Sequence, residues 1–180
     1  MFVNGKSAGS KKVPHLGHVE WKVKFEPGSI EARGSRGGQV VLTEKRETTG
    51  EAAALRLTAD RTTINADGED VAVIKVEGLD KDGRLVPTAD NLVAFKVAGE
   101  GALIGVGNGD PNCQESDKGS TRSLFNGLAQ VIVQSSKRSG EIRIEAVKEG
   151  WDGPELTPAK LSITTRRTEL RPAVQELRRS

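Results

Sequence analysis

Apolar residues recur at every second position in a series of short segments from residue 55 onward. This period of two is typical of half-buried β-strands, because successive side chains of a strand point to opposite faces of the sheet. The segments with this period are 55–57, 72–76, 93–97, 129–133, 142–146 and 161–163. With turn-forming residues between them, they predict an all-β, immunoglobulin-like β-sandwich. Its two sheets are expected to share one core, which includes Val93, Phe95, Val131, Val133, Ile142 and Ile144.

The first 49 residues show the same period in shorter segments. MFVNGKSAG predicts a strand that ends in a type I′ turn at Asn4 and Gly5, which tolerate positive φ angles. Residues 18–25 alternate between apolar and polar side chains and predict a half-buried strand. Its apolar face is expected to comprise Val19, Trp21, Val23 and Phe25.

Two further strands are expected near residues 30–32 and 40–42, with a turn in SRGG at 35–38. Four short strands rarely bury a complete core. We therefore expect residues 1–49 to be a partial immunoglobulin-like β domain, truncated on its N-terminal side, with one apolar face and a strand edge uncovered. A second copy of the chain can cover such an edge, so a homodimer is one expected assembly.

The polar, small-residue stretch TTGEAAA at 48–54 predicts the boundary to a second domain, residues 50–165. Beyond Thr165 the period of two is lost. Residues 166–180 predict a basic tail that is disordered or forms a short helix. The helix would present Leu170, Val174 and Leu177 at helical spacing.

Composition supports strands joined by tight turns, since the chain has 21 Gly and 7 Pro. Its 27 basic and 25 acidic residues give a net charge of +2. Both signs alternate along the predicted strands, whereas a nucleic-acid-binding face gathers Lys and Arg. No apolar run approaches the roughly 18 residues of a membrane span. We therefore expect neither nucleic acid nor membrane as a partner.

Catalytic chemistry has few candidate residues, because the chain contains two His, one Cys and no Tyr. His18 lies on the polar face of its predicted strand, which favours a solvated side chain over a ligand or general base. Cys113 lies in a polar loop with no histidine nearby in sequence. We expect no catalytic residue, no metal site and no cofactor.

Two acidic turns, NADGED at 65–70 and DKDG at 80–83, resemble fragments of calcium loops. Calcium binds several carboxylate and carbonyl oxygens, but neither segment continues to the distal glutamate of an EF-hand. Ordinary Asp-Gly turns are the favoured interpretation.

The segment GVGNGDP at 105–111 superficially resembles a glycine-rich phosphate loop. Such a loop leads directly into a helix, and NCQESDKGS after Pro111 does not begin one. A turn at the end of a strand is the simpler interpretation. A third is a displayed polar loop that hydrogen-bonds to a sugar or to a neighbouring domain. Its candidate side chains are Asn108, Asp110, Asn112, Glu115 and Asp117.

Trp151 is a further candidate for ligand contact. It lies in KEGWDGPEL between two predicted strands, where no periodicity requires burial. An exposed indole can stack on a sugar ring or fill an interdomain contact, whereas capping the end of its own sandwich is the favoured alternative. Carbohydrate is therefore a candidate partner, through Asn108, Asp110, Glu115 and Trp151.

Five phrases of the sequence resemble the C-terminal end of glycoside hydrolase family 2 β-galactosidases. They are FVNGKSAGSKKVP, HVEWKVKFEPGSIEARG, TADRTTINADGEDVAVIKVEGLDKDGRLVPTADN, GVGNGDP and FNGLAQVIVQSS. Together they cover nearly the whole chain to about Thr165. Similar sequences have a histidine between Pro111 and Glu115, where this chain has NCQ.

The resemblance implies two accessory sandwich domains that follow a catalytic barrel: the second half of an immunoglobulin-like domain, then a C-terminal bacterial immunoglobulin-like domain. The family's two catalytic glutamates, an acid/base and a nucleophile for retaining hydrolysis, belong to the barrel. Nothing in this chain matches their surroundings. A parent enzyme exported to the periplasm or cell exterior of a bacterium is one expectation.

The implied function is a non-catalytic fragment that braces or docks onto the catalytic barrel and other domains of a parent β-galactosidase. Two alternatives remain at this point. One is a carbohydrate-binding module that uses Trp151 and the 108–117 loop. The other is an adhesin-like structural immunoglobulin repeat.

Overall fold

The computed structural model describes residues 1–151, 153 and 155–169. These residues form thirteen β-strands, and none of them belongs to a helix long and apolar enough to cross a membrane. Residue contacts divide the chain into unit 1, Met1–Thr49, and unit 2, which begins at Gly50. The helix predicted through Leu170, Val174 and Leu177 lies outside the described residues.

Unit 1 is a single antiparallel sheet with the strand order β2-β1-β3-β4. Its strands are β1 (Phe2–Val3), β2 (Lys6–Ser7), β3 (Ser29–Arg36) and β4 (Gln39–Glu47). The predicted turn is confirmed, because Asn4 and Gly5 join β1 to β2 with φ angles of 47° and 76°. The predicted third and fourth strands are confirmed as β3 and β4, with Gly37 and Gly38 between them.

The strand predicted over residues 18–25 is wrong. This segment has no strand structure, and Val19 and Trp21 are half-buried rather than part of a core. Val23 and Phe25 are 38% and 74% exposed. Alternation indicates which faces a strand would have, but the backbone N–H and C=O groups of a strand also need a neighbouring strand. In the described residues of unit 1, no strand pairs with this segment.

Unit 2 contains two sheets, and the predicted all-β, immunoglobulin-like sandwich is confirmed here. One sheet has the order β5-β7-β11-β9, and the other has the order β10-β8-β12-β13-β6. All pairings are antiparallel except that of β13 with β6. The strands are β5 (Ala54–Ala59), β6 (Thr63–Asn65), β7 (Val71–Leu79), β8 (Leu92–Gly99), β9 (Gly101–Gly107), β10 (Thr121–Ser123), β11 (Leu128–Ser135), β12 (Gly140–Lys148) and β13 (Ala159–Arg166).

The core of unit 2 lies between these sheets. The six residues predicted to share it all belong to one buried cluster: Val93, Phe95, Val131, Val133, Ile142 and Ile144. Each is at most 4% exposed. Because they come from strands of both sheets, their burial is the contact that holds the sandwich together.

Strands β6, β9 and β10 were not predicted. In β9, glycines at positions 101, 105 and 107 hide the period of two, because glycine has no side chain to mark a face. Gly101 is required by close packing: a Cβ atom there would lie 2.6 Å from the carbonyl oxygen of Gln134 on the neighbouring strand. The other two strands have three residues each, too few for a period to be recognised.

The register of the second sheet brings three segments to one end of the sandwich. Ser123 at the end of β10 lies opposite Leu92 at the start of β8. The N–H of Glu149, just after β12, donates to the carbonyl of Leu92 at 2.8 Å. The segment before β8, the segment after β10 and the loop after β12 therefore meet at this end, which we call the Leu92 end.

Candidate functional site

The loop between β9 and β10, residues 108–120, is held against β10 by hydrogen bonds to Ser123. The Glu115 carboxylate accepts hydrogen bonds from the Ser123 N–H at 2.9 Å and from its hydroxyl at 2.5 Å. Asn108 Nδ2 donates to the Ser123 carbonyl at 3.0 Å. Two of the residues predicted to contact a ligand, Asn108 and Glu115, therefore meet at one strand end.

Asp110 and Asn112 continue this loop as a pair of tight turns. The Asp110 N–H donates to Asn108 Oδ1 at 3.0 Å, and the Asn112 N–H donates to Asp110 Oδ1 at 2.9 Å. Gly109 between them has a φ of 78°, an angle that favours glycine. The turn interpretation of GVGNGDP is thus confirmed, and the turn places Asp110 beside Asn108.

Arg122 of β10 is the largest charged side chain in the interior of the described residues, at 1% exposure. Its guanidinium donates to Cys113 Sγ at 2.8 Å, to the Val106 carbonyl at 3.2 Å and to Asp117 Oδ1 at 2.6 Å. Among the described residues its Nε has no hydrogen-bond acceptor, and it lies 3.7 Å from Glu115 Oε2. A buried guanidinium is tolerated only with such partners. Arg122 therefore holds the loop against β9 and β10 from the interior side of the loop.

Sequence reasoning missed Arg122, although a signal exists. Leu124, one residue beyond β10, is apolar and buried, so residue 122, two positions earlier, has the inward phase. An arginine in an inward position indicates buried acceptors nearby, because guanidinium is almost never fully buried without a partner.

The Glu115 carboxyl stays ionised at neutral pH. Burial opposes its ionisation, but the two hydrogen bonds from Ser123 and the charge of Arg122 outweigh burial, so its pKa lies below the ordinary glutamate value. Glu115 is therefore an anionic hydrogen-bond acceptor at the surface of the loop.

A shallow depression lies beside this loop at the Leu92 end. Its lining combines carboxylates, amides and one aromatic ring, from Asp90, Asn108, Asp110, Cys113, Gln114, Glu115, Ser123, Leu124 and Phe125. Asp90 and Phe125 were not among the candidates predicted from sequence. The arrangement offers hydrogen-bond acceptors around an apolar surface, which suits a polar, uncharged ligand better than an anion.

Trp151 follows β12 at the same end of the sandwich, two residues after Glu149. It is 98% exposed, so the expectation that it caps its own sandwich is wrong. In the part of the chain that the structure describes, no hydrogen bond or ring contact joins it to Asn108, Asp110 or Glu115. The structure brings those three together and leaves Trp151 apart from them.

The remaining chemical candidates form no centre among the described residues. His18 lies 3.2 Å from the Glu20 carboxylate and is exposed. Within the described ranges, no three His, Cys, Asp or Glu side chains are arranged to hold a metal ion. The acidic segment at 65–70 is a turn in which Asp67 Oδ1 accepts from the N–H groups of Glu69 and Asp70.

Two family models match the chain. A model described as glycoside hydrolase family 2 C-terminal domain 5 matches residues 55–157, and a domain of unknown function matches residues 1–42. The first match covers most of the sandwich of unit 2, including the loop and Arg122. The second covers the sheet of unit 1 up to Leu42.

Similar proteins are much longer than this chain. A β-galactosidase of Bacteroides ovatus is 43% identical over 152 residues, which are 83% of this chain and 18% of that protein. A β-glucuronidase of Formosa agariphila is 37% identical over 172 residues, which are 91% of this chain and 17% of that protein. The crystal structure of a glycosyl hydrolase family 2 member from Bacteroides cellulosilyticus superposes with a TM-score of 0.83 at 33% identity, covering 91% of this chain and 22% of that one. The chain thus spans about a fifth of the length of these relatives.

Proposed function

Because the chain belongs to glycoside hydrolase family 2, as its sequence phrases predicted, we propose that it is a non-catalytic accessory part of a β-galactosidase-like glycoside hydrolase. Its role is to brace or dock onto the catalytic barrel and the other domains of that parent enzyme. The observation that carries the proposal is the match of residues 55–157 to a C-terminal domain of the family, in a chain about a fifth as long as its relatives.

The chemistry of the described residues supports a non-catalytic role. Retaining glycoside hydrolysis needs two carboxyl groups about 5 Å apart in a substrate cleft. Of the carboxylates at the depression, Glu115 is engaged by Ser123 and Arg122. Its lowered pKa suits an acceptor and not a general acid, which needs a raised pKa.

Unit 1 supports the docking role. Eight of the eleven large apolar side chains that are exposed among the described residues belong to it: Val13, Leu16, Val23, Phe25, Ile30, Val40, Val41 and Leu42. Exposed apolar side chains concentrated in one small unit indicate a surface that is covered by another protein surface. We assign this surface, the unit 1 apolar surface, to contact with other domains of the parent. In isolation, a second copy of the chain is the competing partner.

Leu16 is the most exposed of these side chains, at 96%. It lies in a turn closed by a hydrogen bond from the Gly17 N–H to the Pro14 carbonyl at 3.1 Å. Its φ of 57° is unusual for a bulky residue. A strained and fully exposed leucine supports an anchoring role in the docking contact.

A second candidate function is a carbohydrate-binding module that uses Trp151 and the 108–117 loop. The observation that favours it is the 98% exposure of Trp151, because an exposed indole offers an apolar face to a sugar ring. This function does not need the barrel, so it predicts sugar binding by the isolated chain.

The non-catalytic proposal is tested by turnover. Purified chain, free of host enzyme, is incubated with nitrophenyl β-galactoside and nitrophenyl β-glucuronide, the sugars matching the names of the two relatives. We expect no turnover above buffer. Release of nitrophenol that scales with chain concentration would contradict the proposal.

A further inference from the structure

We propose that the depression at the Leu92 end is a binding site for a neutral saccharide, with Phe125 as its apolar platform and Asp90, Asp110 and Glu115 as hydrogen-bond acceptors. This inference rests on the carbohydrate-binding alternative above and relocates the aromatic contact from Trp151 to Phe125. Hydrogen bonds within the chain hold the lining of this site in place without a ligand.

Phe125 is fixed by a tight hairpin turn. Its N–H donates to the Leu128 carbonyl at 2.8 Å, and the Leu128 N–H donates back at 3.0 Å. Asn126 and Gly127 between them have φ angles of 52° and 76°, as a type I′ turn requires. The ring remains 37% exposed, so part of an aromatic face is available to the C–H surface of a sugar ring.

The polar walls of the depression are held by hydrogen bonds at the end of β10 and at the residue that follows it. Leu124 N–H donates to the Asn91 carbonyl at 3.0 Å, which holds Asp90 next to β10. Asn108 and Glu115 are held by their bonds to Ser123. Because these walls are held by hydrogen bonds at β10 and at the residue after it, little ordering is needed on binding, and a weak polar ligand benefits most from such preorganisation.

Arg122 gives a second, independent indication of a site. It lies directly behind Cys113 and Glu115, two residues that line the depression. Its side chain is 1% exposed, and its Nε lacks an acceptor in the part of the chain that the structure describes. An unsatisfied buried donor is costly, so a hydroxyl or water held beside Glu115 would relieve that cost.

The charge of the lining selects the ligand class. Asp90, Asp110 and Glu115 are acidic, and the cation beside Glu115, Arg122, is buried and already bonded to Asp117. Carboxylates accept hydrogen bonds from sugar hydroxyls but repel uronates and sulfated sugars. The site therefore takes a neutral saccharide and discriminates against an acidic one.

Amide chemical shifts of the full chain provide the test. Galactotetraose and cellotetraose serve as neutral probes and tri-galacturonate as the acidic probe, each titrated to millimolar concentration. We expect at least one neutral probe to shift the amides of residues 90–91, 108–115 and 123–125, and tri-galacturonate to leave them unchanged. Phe125→Ala should weaken neutral binding about tenfold, and Asp90→Asn should weaken it severalfold without affecting the fold.

Two matched variants keep the result specific. Ile104→Ala removes an apolar side chain of similar exposure, 42%, outside the depression and should bind like the parent chain. Trp151→Ala should also bind normally. Absence of shifts with both neutral probes, or preference for tri-galacturonate, would overturn the inference. Shifts confined to the Trp151 loop, lost in Trp151→Ala, would overturn it in favour of the Trp151 site. None of these outcomes depends on the turnover result, so the accessory role is tested separately.

Discussion

Arg122 and Phe95 show how differently single residues follow from sequence. Phe95 lies in a strand of eight residues with clear alternation, so its burial could be predicted from the period of two. Arg122 lies in a three-residue strand, where two flanking polar residues mask the inward phase. Its partners Cys113 and Asp117 come from a loop whose path is set by backbone turns, and a single sequence does not encode that path as a period.

The same contrast explains the candidate ligand residues. Asn108, Asp110 and Glu115 were predicted as one polar group, and the structure gathers them because each bonds to a neighbour within the loop or to Ser123. Phe125 and Asp90 were missed because they join the group through the pairing of β10 with β8, a contact between distant segments.

Substitution of Phe95 tests the core at residue scale. Phe95 is 4% exposed inside the cluster between the two sheets. Phe95→Ala should lower the free energy of unfolding of unit 2 by about 3 to 5 kcal/mol, because it removes buried apolar area and leaves a cavity. Phe125→Ala, the same change at a half-buried position, should cost only about 1 to 2 kcal/mol. Urea unfolding followed by circular dichroism measures both. Equal losses for the two variants would contradict the assigned core.

At the scale of elements, strands were predictable where side chains mark both faces and where a partner strand exists. Strand β7 meets both conditions, since it lies between β5 and β11 in its sheet. Strand β9 fails the first condition, because its glycines have no side chains to mark the two faces of the strand. The segment 18–25 fails the second: its sequence alternates well, but in the described residues of unit 1 it has no strand to pair with. Local pattern thus specifies the phase of a strand and leaves its pairing to the rest of the fold.

Hydrogen exchange tests this difference between elements. Strand β11 is central in its sheet, bonded to β7 on one side and β9 on the other, so its amides should exchange only through global unfolding of unit 2. Amides of residues 18–25 have no ladder and should exchange far earlier. Mass-spectrometric exchange of dilute chain compares peptides covering 18–25 and 129–135. Equal protection of the two peptides in a proven monomer would show that unit 1 is complete by itself.

At the scale of the whole molecule, the two units differ in how well they bury their own apolar residues. Unit 2 holds a continuous core between two sheets, with Ile74, Val131 and Ile142 fully buried. Unit 1 has one sheet, and every residue of β4 is exposed. Stability increases with buried apolar area. Contact with another protein surface would therefore stabilise unit 1 more than unit 2.

The proposed docking role therefore belongs to unit 1, and the proposed carbohydrate site belongs to unit 2. Substituting the unit 1 apolar surface should therefore affect association and leave sugar binding at the Leu92 end unchanged. Leu16→Asp is the most selective variant, because the Leu16 side chain is 96% exposed and its loss removes little packing among the described residues.

Association with a shortened relative tests the accessory role most directly. The β-galactosidase of Bacteroides ovatus, lacking the region that matches 152 residues of this chain, is mixed with the purified chain and examined by analytical ultracentrifugation and thermal unfolding. We predict a one-to-one complex and a higher melting temperature for the shortened enzyme. Leu16→Asp in the chain should raise the dissociation constant of the complex at least about tenfold and reduce the gain in melting temperature. A shortened enzyme that remains fully stable and active while showing no association with the chain would contradict the account.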